Sequence, residues 1–537
     1  MENIFIQFVF LILIILGLVM LANKLKVAYP IVLVLGGLAL SFTPMFPNIT
    51  IQPNAVFFIF LPPLLYEAAW QTSWKEFWRW RRVITSFAFP IVIITSFVIA
   101  YTSRAIIPGF TLAMGFLLGG IISPPDAVSA TTIMRNVKAP KPLVSILEGE
   151  SLLNDASSLI VFRFALLAVI TGQFNFGEAA GTFLLVVVMG ILIGVAVGWI
   201  FYLIHRLLPT TSSIEILLTL VTPYCMYYAA EHFHFSGVLA VVSGGLLLAS
   251  KQQSMLNYRS RIEAVNVWTN LVFVLNGVIF LLIGLELRII TSQLEDVSVS
   301  DAIWYGLAIS LVLILCRFAC TFGAAIFTRI ASRFITVADP RPGWKAPLIS
   351  GWAGMRGVVS LAAALSIPLV TIGSQPFPYR NLILFITFIV ILVTLVLQGL
   401  TLPWVIRKVN MHDKFNVLSE DEQERIIYND LAEESIRFLQ EKMTQKDNQD
   451  EHLINLVARY QLHLNALQKH HLEKDDLNID HVNSYPETYL QLLERQREVL
   501  RKLNSSADFD DHLIRKHRSL IDTEEYKMRE KHLQRKS

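Results

Sequence analysis

Thirteen apolar stretches follow one another through the first four hundred positions. They run over residues 4–23, 28–45, 55–71, 83–103, 110–134, 143–171, 179–205, 213–233, 236–250, 265–287, 302–328, 346–371 and 381–406. A helix needs about 20 mostly apolar residues to cross the hydrocarbon layer of a bilayer. The pattern therefore predicts an all-α polytopic membrane protein with about 13 transmembrane helices. Composition agrees: 54% of the 537 residues are apolar and only 16% charged, where soluble domains carry about a quarter. The first apolar run has no basic segment before it and no small-residue cleavage site after it, so it is expected to be a retained span and not a signal peptide.

Charge divides the chain in two. From Met411 onward there are 20 Lys and Arg against 26 Asp and Glu, a net of −6, which leaves +9 on the first 410 residues. The acidic tail, with no basic stripe, argues against nucleic-acid binding. Within the membrane part, loops after odd-numbered spans hold nineteen Lys and Arg; loops after even-numbered spans hold three, Arg104, Arg288 and Arg380. Basic loops face the cytoplasm. The N-terminus is thus expected outside, and the tail in the cytoplasm beneath a plasma (bacterial inner) membrane. Two domains follow: a membrane domain over 1–410 and a helical cytoplasmic domain over 411–537. Four tail segments, beginning at Glu424, His452, Tyr485 and Asp510, place apolar residues at helical spacing. QTSWKEFWRWRR, with Trp74, Trp78 and Trp80, is expected to lie at the interface, rings at the headgroups and basic residues near anionic lipid. Cys225, Cys316 and Cys320 all fall in apolar stretches and suggest packing, not a disulfide framework.

The informative residues are those that lipid does not tolerate. A charged side chain at mid-membrane costs about 2.5–3.5 kcal/mol on insertion scales, so each needs a partner or a task. In the fifth span, FLLGGIISPPDAVSATTIM, Pro124 and Pro125 each lack an N–H and clash with the preceding turn. The helix should unwind there. Such backbone persists in a membrane only where it lines a cavity or is buried in protein. Its carbonyls and Asp126 would offer a hard oxygen site to a small cation. The sixth span contributes LEGESLLNDASSLIVFR. Glu150 and Asn154 are four residues apart, as are Ser151 and Asp155, so each pair shares a helix face, and Asp155 and Asn154 can present oxygens towards the same cavity as Asp126. A carboxylate in that cavity can be neutralised by a proton or by a cation, but not comfortably by both, and that competition is exchanger chemistry. In the twelfth span, LISGWAGMRGVVSLAAALSIP, Gly351, Gly354 and Gly357 weaken the helix around Arg356. Two interrupted helices in opposite halves of a chain point to an inverted-repeat transporter with a midplane site. Arg317, a lone cation in the eleventh span, needs a counter-ion, and Glu150 is the leading candidate. Arg163 is expected to pair with Glu148 or reach the interface; Glu67, Glu148 and Arg163 are assigned to structure.

GESLLND (149–155), with SPPDAVSATT (123–132) and GMRGVVSLAAAL (354–365), resembles the monovalent cation:proton antiporter family of bacterial and eukaryotic sodium/proton exchangers. The resemblance covers about residues 1–410. It implies that Asp155 binds Na⁺ or H⁺, with Asp126 and Ser151 completing the Na⁺ site and the Pro125 carbonyl as a backbone ligand. Asn154 stands where electrogenic relatives hold a second aspartate, which implies electroneutral exchange. Glu150 would pair with Arg317, and Arg356 would sit near opposed helix ends on the second broken helix. The family fold implies a homodimer in membrane lipid, an elevator-like movement of the ion site, no enzyme activity and no cofactor beyond the transported Na⁺ or Li⁺ and H⁺. The tail would be the place for cytoplasmic regulators. K⁺/H⁺ exchange on the same fold is the alternative. An intramembrane aspartyl protease (Asp126 and Asp155 as the dyad), a channel and a non-transporting signalling scaffold are more distant ones: the contexts PPDA and LNDA lack a Gly-x-Gly-Asp segment, and no filter-like carbonyl repeat occurs.

Overall fold

The computed structural model describes residues 2–25, 27–42, 53–137, 139–172, 176–292, 294, 297–334, 336–371, 375–411, 420–445 and short pieces of 454–527. Among these, helix is nearly all the regular structure, with one isolated bridge between Val370 and Pro376. The chain divides into two compact units, 1–415 and 416–537.

The first unit contains α1 (Glu2–Leu25), α2 (Tyr29–Ser41), α3 (Pro53–Gln71), α4 (Trp74–Ser86), α5 (Val92–Ile106), α6 (Leu112–Ile122), α7 (Ala127–Asn136), α8 (Lys141–Thr171) and α9 (Phe176–Leu207). It continues with α10 (Ser212–His232), α11 (Gly237–Met255), α12 (Tyr258–Ser292), α13 (Val299–Ala331), α14 (Lys345–Trp352), α15 (Val358–Leu365), α16 (Arg380–Val393) and α17 (Gly399–Val409). Five-residue π-turns, Phe87–Ile91 and Thr394–Gln398, join α4 to α5 and α16 to α17. Each of the thirteen apolar stretches falls on a helix or a helix pair. Among the described residues, seven continuous segments are long and apolar enough to cross a membrane, and three shorter apolar helices accompany them.

Local chemistry sets many of the boundaries. Thr111 caps α6 by accepting from the Met114 amide, and Ser236 caps α11 by accepting from Leu239. Ser298 caps α13 from the Asp301 amide and donates to the Asp301 carboxylate, so helix-end donors are met by side chains. Gly172, at φ +70°, closes α8 in the left-handed region that glycine adopts without strain.

Tertiary contacts sort the helices into two bundles. One holds α1–α3 and α9–α12; the other holds α4–α8 and α13–α17. In the first, α2 and α12 approach until a Cβ on Gly37 would stand 2.2 Å from the Leu281 carbonyl oxygen, so glycine permits the crossing. The tryptophan-rich segment is the start of a longer helix. As α4 it runs on through the π-turn into α5, one 33-residue segment. Trp80 turns inward, its indole N–H donating to Glu76 one turn earlier at 3.1 Å, while Trp74 and Trp78 stay exposed.

In the second unit α18 (Glu420–Gln445) holds the first of the four tail segments, and short described helical pieces at 454–458, 493–498 and 523–527 fall within the others. The other three lie largely outside the described residues.

Candidate functional site

Both interrupted helices are broken where proline and glycine weaken them. Residues 123–126 separate α6 from α7, and 353–357 separate α14 from α15. The breaks cross: the Asp126 amide donates to the Met355 carbonyl at 2.7 Å. The crossing is so tight that a Cβ on Gly357 would fall 2.1 Å from Asp126 Oδ2. Asp126 caps α7, its Oδ1 accepting from the Val128 amide at 2.9 Å, so the carboxylate sits at the positive end of a half-helix. Its Oδ2 is buried without a hydrogen-bond partner.

Arg356 is the counterpart on the second break. It is 2% exposed. Its Nε donates to the Ile122 carbonyl at 2.8 Å and Nη2 to Ser123 at 3.0 Å, while Nη1 donates to the Gly354 carbonyl. Its backbone N–H donates to Thr394 Oγ1 at 3.2 Å in the second π-turn. The guanidinium thus sits on carbonyls that the end of α6 cannot bond internally. A cation there is also favoured by the helix dipole.

α8 presents two chemically different faces. Glu148, Ser151, Leu152 and Asp155 form one stripe and line a cavity of about 350 Å³. The opposite wall comes from the other bundle and includes Tyr29 of α2, Leu65 and Glu67 of α3 and Asn276 of α12. Asp126, Ala127 and Thr131 of α7 complete the near wall. Ser151 Oγ accepts from the Ala127 amide at 3.3 Å, tying α8 to the start of α7. The mouth carries an ion pair, Arg135 to Glu148 at 2.6 Å.

The second face of α8 turns into protein. Glu150 is clamped by Arg317 of α13, Nη2 to Oε2 at 2.6 Å with a second bond from Nη1, and both side chains are almost wholly buried. Asn154 donates through Nδ2 to the Pro125 carbonyl at 3.0 Å. Ser157 donates to the Ala88 carbonyl in the first π-turn. These hydrogen bonds meet backbone groups that would otherwise be orphaned in an apolar interior.

Asp155, Asp126 and Ser151 therefore share one cavity. Pro125 and Asn154, expected to offer oxygens to the ion, do not line it. Position 154 lies about 100° around the helix from 155, which turns its amide onto the Pro125 carbonyl. Arg163 also departs from expectation. It pairs with neither Glu148 nor the interface but with Glu231 of α10, at 2.6 and 2.7 Å, bridging the two bundles. Glu67, assigned to structure from the sequence, lines the cavity and accepts from Gln71. Tyr29 and Asn276, which line the cavity as well, were not singled out. Their signal in the sequence is only a polar group within an apolar run.

Among known proteins, the family profile described as "Sodium/hydrogen exchanger, transmembrane" matches residues 10–408. A sodium, potassium, lithium and rubidium/H⁺ antiporter of Bacillus pumilus is 32% identical over 82% of this chain, which spans 66% of that protein's length. The low-affinity Na⁺/H⁺ antiporter NhaS1 of Synechocystis is 31% identical over 76% of this chain and 74% of its own. In structure, the sodium proton antiporter MjNhaP1 of Methanocaldococcus jannaschii superposes with a TM-score of 0.58 at 18% identity, over 77% of this chain and 100% of that one. The last likeness concerns the fold.

Proposed function

The chain belongs to the transmembrane sodium/hydrogen exchanger family, and from that footing we propose that it is a secondary antiporter trading Na⁺ or Li⁺ for H⁺ by alternating access. One observation carries the proposal: the cavity brings Asp155 together with the unpartnered oxygen of Asp126, at the crossing of two broken helices. Ser151 lies beside them. Hard oxygens around a small space suit a small cation. Protonation of Asp155 removes the charge that holds the ion, so one group serves both substrates in turn. Glu67, on the opposite wall, adds a carboxylate to the path between the mouth and Asp155.

The cavity is bounded by both bundles, with Asp126 and Asp155 on one and Glu67, Tyr29 and Asn276 on the other. Sliding the bundle that holds Asp126 and Asp155 against the other carries the site towards the other side of the membrane, an elevator-like step. Arg163–Glu231 must part or follow in that movement. Asn154 is neutral and engaged with Pro125, so Asp155 alone changes partner and exchange is electroneutral. All thirteen helical segments belong to the membrane domain, with the N-terminus outside and 411–537 as a cytoplasmic regulatory domain. α9, with 17% of its apolar window buried in the chain, leaves a broad face for lipid and for a second copy in a homodimer. K⁺ is the second cation considered, because the Bacillus pumilus relative is described as an antiporter of potassium as well as sodium.

Proteoliposomes loaded with a pH-sensitive dye test this directly. Wild type should move protons when Na⁺ or Li⁺ is added, and Asp155→Asn should not. Proton movement driven by K⁺ alone would assign the alternative cation. Equal activity in a folded Asp155→Asn protein would remove the mechanism.

A further inference from the structure

A second polar cleft lies well away from the cavity, between α4, the end of α13 and residues 336–339. Its volume is about 480 Å³. Three arginines of α4 line it, Arg79, Arg81 and Arg82, with Thr328 and Ala331 of α13. Arg82 is fixed in place by donating to the Thr336 carbonyl, which ties α4 to the segment after α13. Arg81 donates to the Trp78 carbonyl at 2.6 Å and lies 4.5 Å from the Trp78 ring centroid. Arg79 stands 3.9 Å from Glu76. One acidic group, Asp339, also lines the cleft, its Oδ1 accepting from the Arg341 amide at 2.9 Å.

The cleft's depth in the membrane follows from helix length. The α4–α5 segment is 33 residues, or about 50 Å at 1.5 Å per residue, against a hydrocarbon core of about 30 Å. Its charges stop at Arg82, and none occurs from Val83 to Ser103. On α13, no charge follows Arg317 until Arg329. Both helices therefore leave the apolar slab at the level of the cleft. Phe327, exposed on α13 two residues before Arg329, continues the cleft towards the lipid chains.

We propose that this cleft binds the headgroup of one anionic phospholipid, its phosphate held by Arg81 and Arg82 with Arg79 nearby, and its acyl chains leaving past Phe327. Guanidinium groups match phosphate oxygens in a fork geometry, and basic pockets between helices at this level select anionic headgroups. The bound lipid would clamp α4 to α13. Those helices flank the Glu150–Arg317 pair: Ile84 of α4 packs on Gly149, and α13 carries Arg317. The inference rests on the membrane location of the chain and not on the ion exchanged.

The test follows heat unfolding of the purified full chain in detergent while phosphatidylglycerol, phosphatidylcholine or inorganic phosphate is titrated in. Phosphatidylglycerol should raise the unfolding midpoint in a saturable way; phosphatidylcholine and inorganic phosphate should not. The Arg81→Gln/Arg82→Gln double variant should bind phosphatidylglycerol about tenfold or more weakly. Because Arg82 also braces Thr336, Ala331→Trp provides an independent variant that fills the cleft without changing charge, and it should weaken binding comparably. An unchanged phosphatidylglycerol response in Ala331→Trp would overturn the assignment. So would an equal response to phosphatidylcholine, and so would inorganic phosphate alone reproducing the shift, since the cleft would then take the free ion.

Discussion

The two broken helices solve the same backbone problem in opposite ways. At the first, between α6 and α7, Asp126 keeps one oxygen bonded in its cap and leaves the other buried without a partner beside the cavity. At the second, between α14 and α15, Arg356 spends its donors on three carbonyls, and its own amide is met by Thr394. A buried group left unsatisfied costs stability, and such a cost is expected where a ligand is to supply the missing partner. On the proposed mechanism the first break is arranged for binding and the second for holding shape.

That contrast is open to test by substitution. The largest effect is expected from Asp126→Asn, which keeps the cap acceptor and removes the charge. Thermal stability should stay close to wild type, while sodium-driven proton movement in vesicles falls by about 10–100-fold, the value of a charged hydrogen-bonding contact. Retained transport would place the binding charge elsewhere. Arg356→Ala should do the reverse. It strands the carbonyls of Ile122, Ser123 and Gly354, at about 1–3 kcal/mol for each buried acceptor left unmet, and the heat-unfolding midpoint should drop. Arg356→Lys should recover only part, because a single ammonium cannot reproduce the fork.

Arg317→Ala sharpens the same distinction on α8, between the face that binds and the face that holds. Leaving Glu150 buried without its partner should cost about 3–5 kcal/mol, read as lost folded protein in a thermal-shift assay. An unaffected midpoint would mean the pair contributes nothing to stability. Asn154→Asp is expected to act more gently. The new carboxylate cannot donate to Pro125, a loss of about 1 kcal/mol, and it adds a second titratable group beside Asp155. Exchange should then displace charge, measured as a sodium-driven membrane potential in vesicles; an unchanged electroneutral signal would separate position 154 from stoichiometry. Deleting 416–537 should have the smallest effect, shifting the pH profile of exchange without abolishing it.

Local pattern carried much of the fold. Apolar runs marked the helices, the Pro124–Pro125 pair marked the first break and the glycines around Arg356 marked the second, since each acts through the backbone of its own segment. The elements beyond Met411 were less legible: amphipathic spacing there indicates helices without saying what they pack on. For the site, the sequence pointed to Asp155, Asp126 and Ser151, which share the cavity. Glu67, assigned to structure from a segment that looks like any apolar helix with one acid, lines the same cavity.

What the sequence by itself determined is which segments are helical, where two of them break, and that Glu150, Asp155, Arg317 and Arg356 need partners in an apolar medium. These follow from backbone sterics and from the cost of unpaired charge, both properties of residue type. Tertiary structure alone decided the partners. The stripe of Glu148, Ser151 and Asp155 and the stripe of Glu150, Asn154 and Ser157 come from one helical period. Yet nothing in that period says which stripe meets Arg317 and Pro125 and which meets Glu67 across a cavity. Nor does it say that Arg163 reaches Glu231 on another bundle. Those choices depend on how distant helices are placed around α8, and an apolar helix surface is nearly indifferent to its neighbour until side chains interlock.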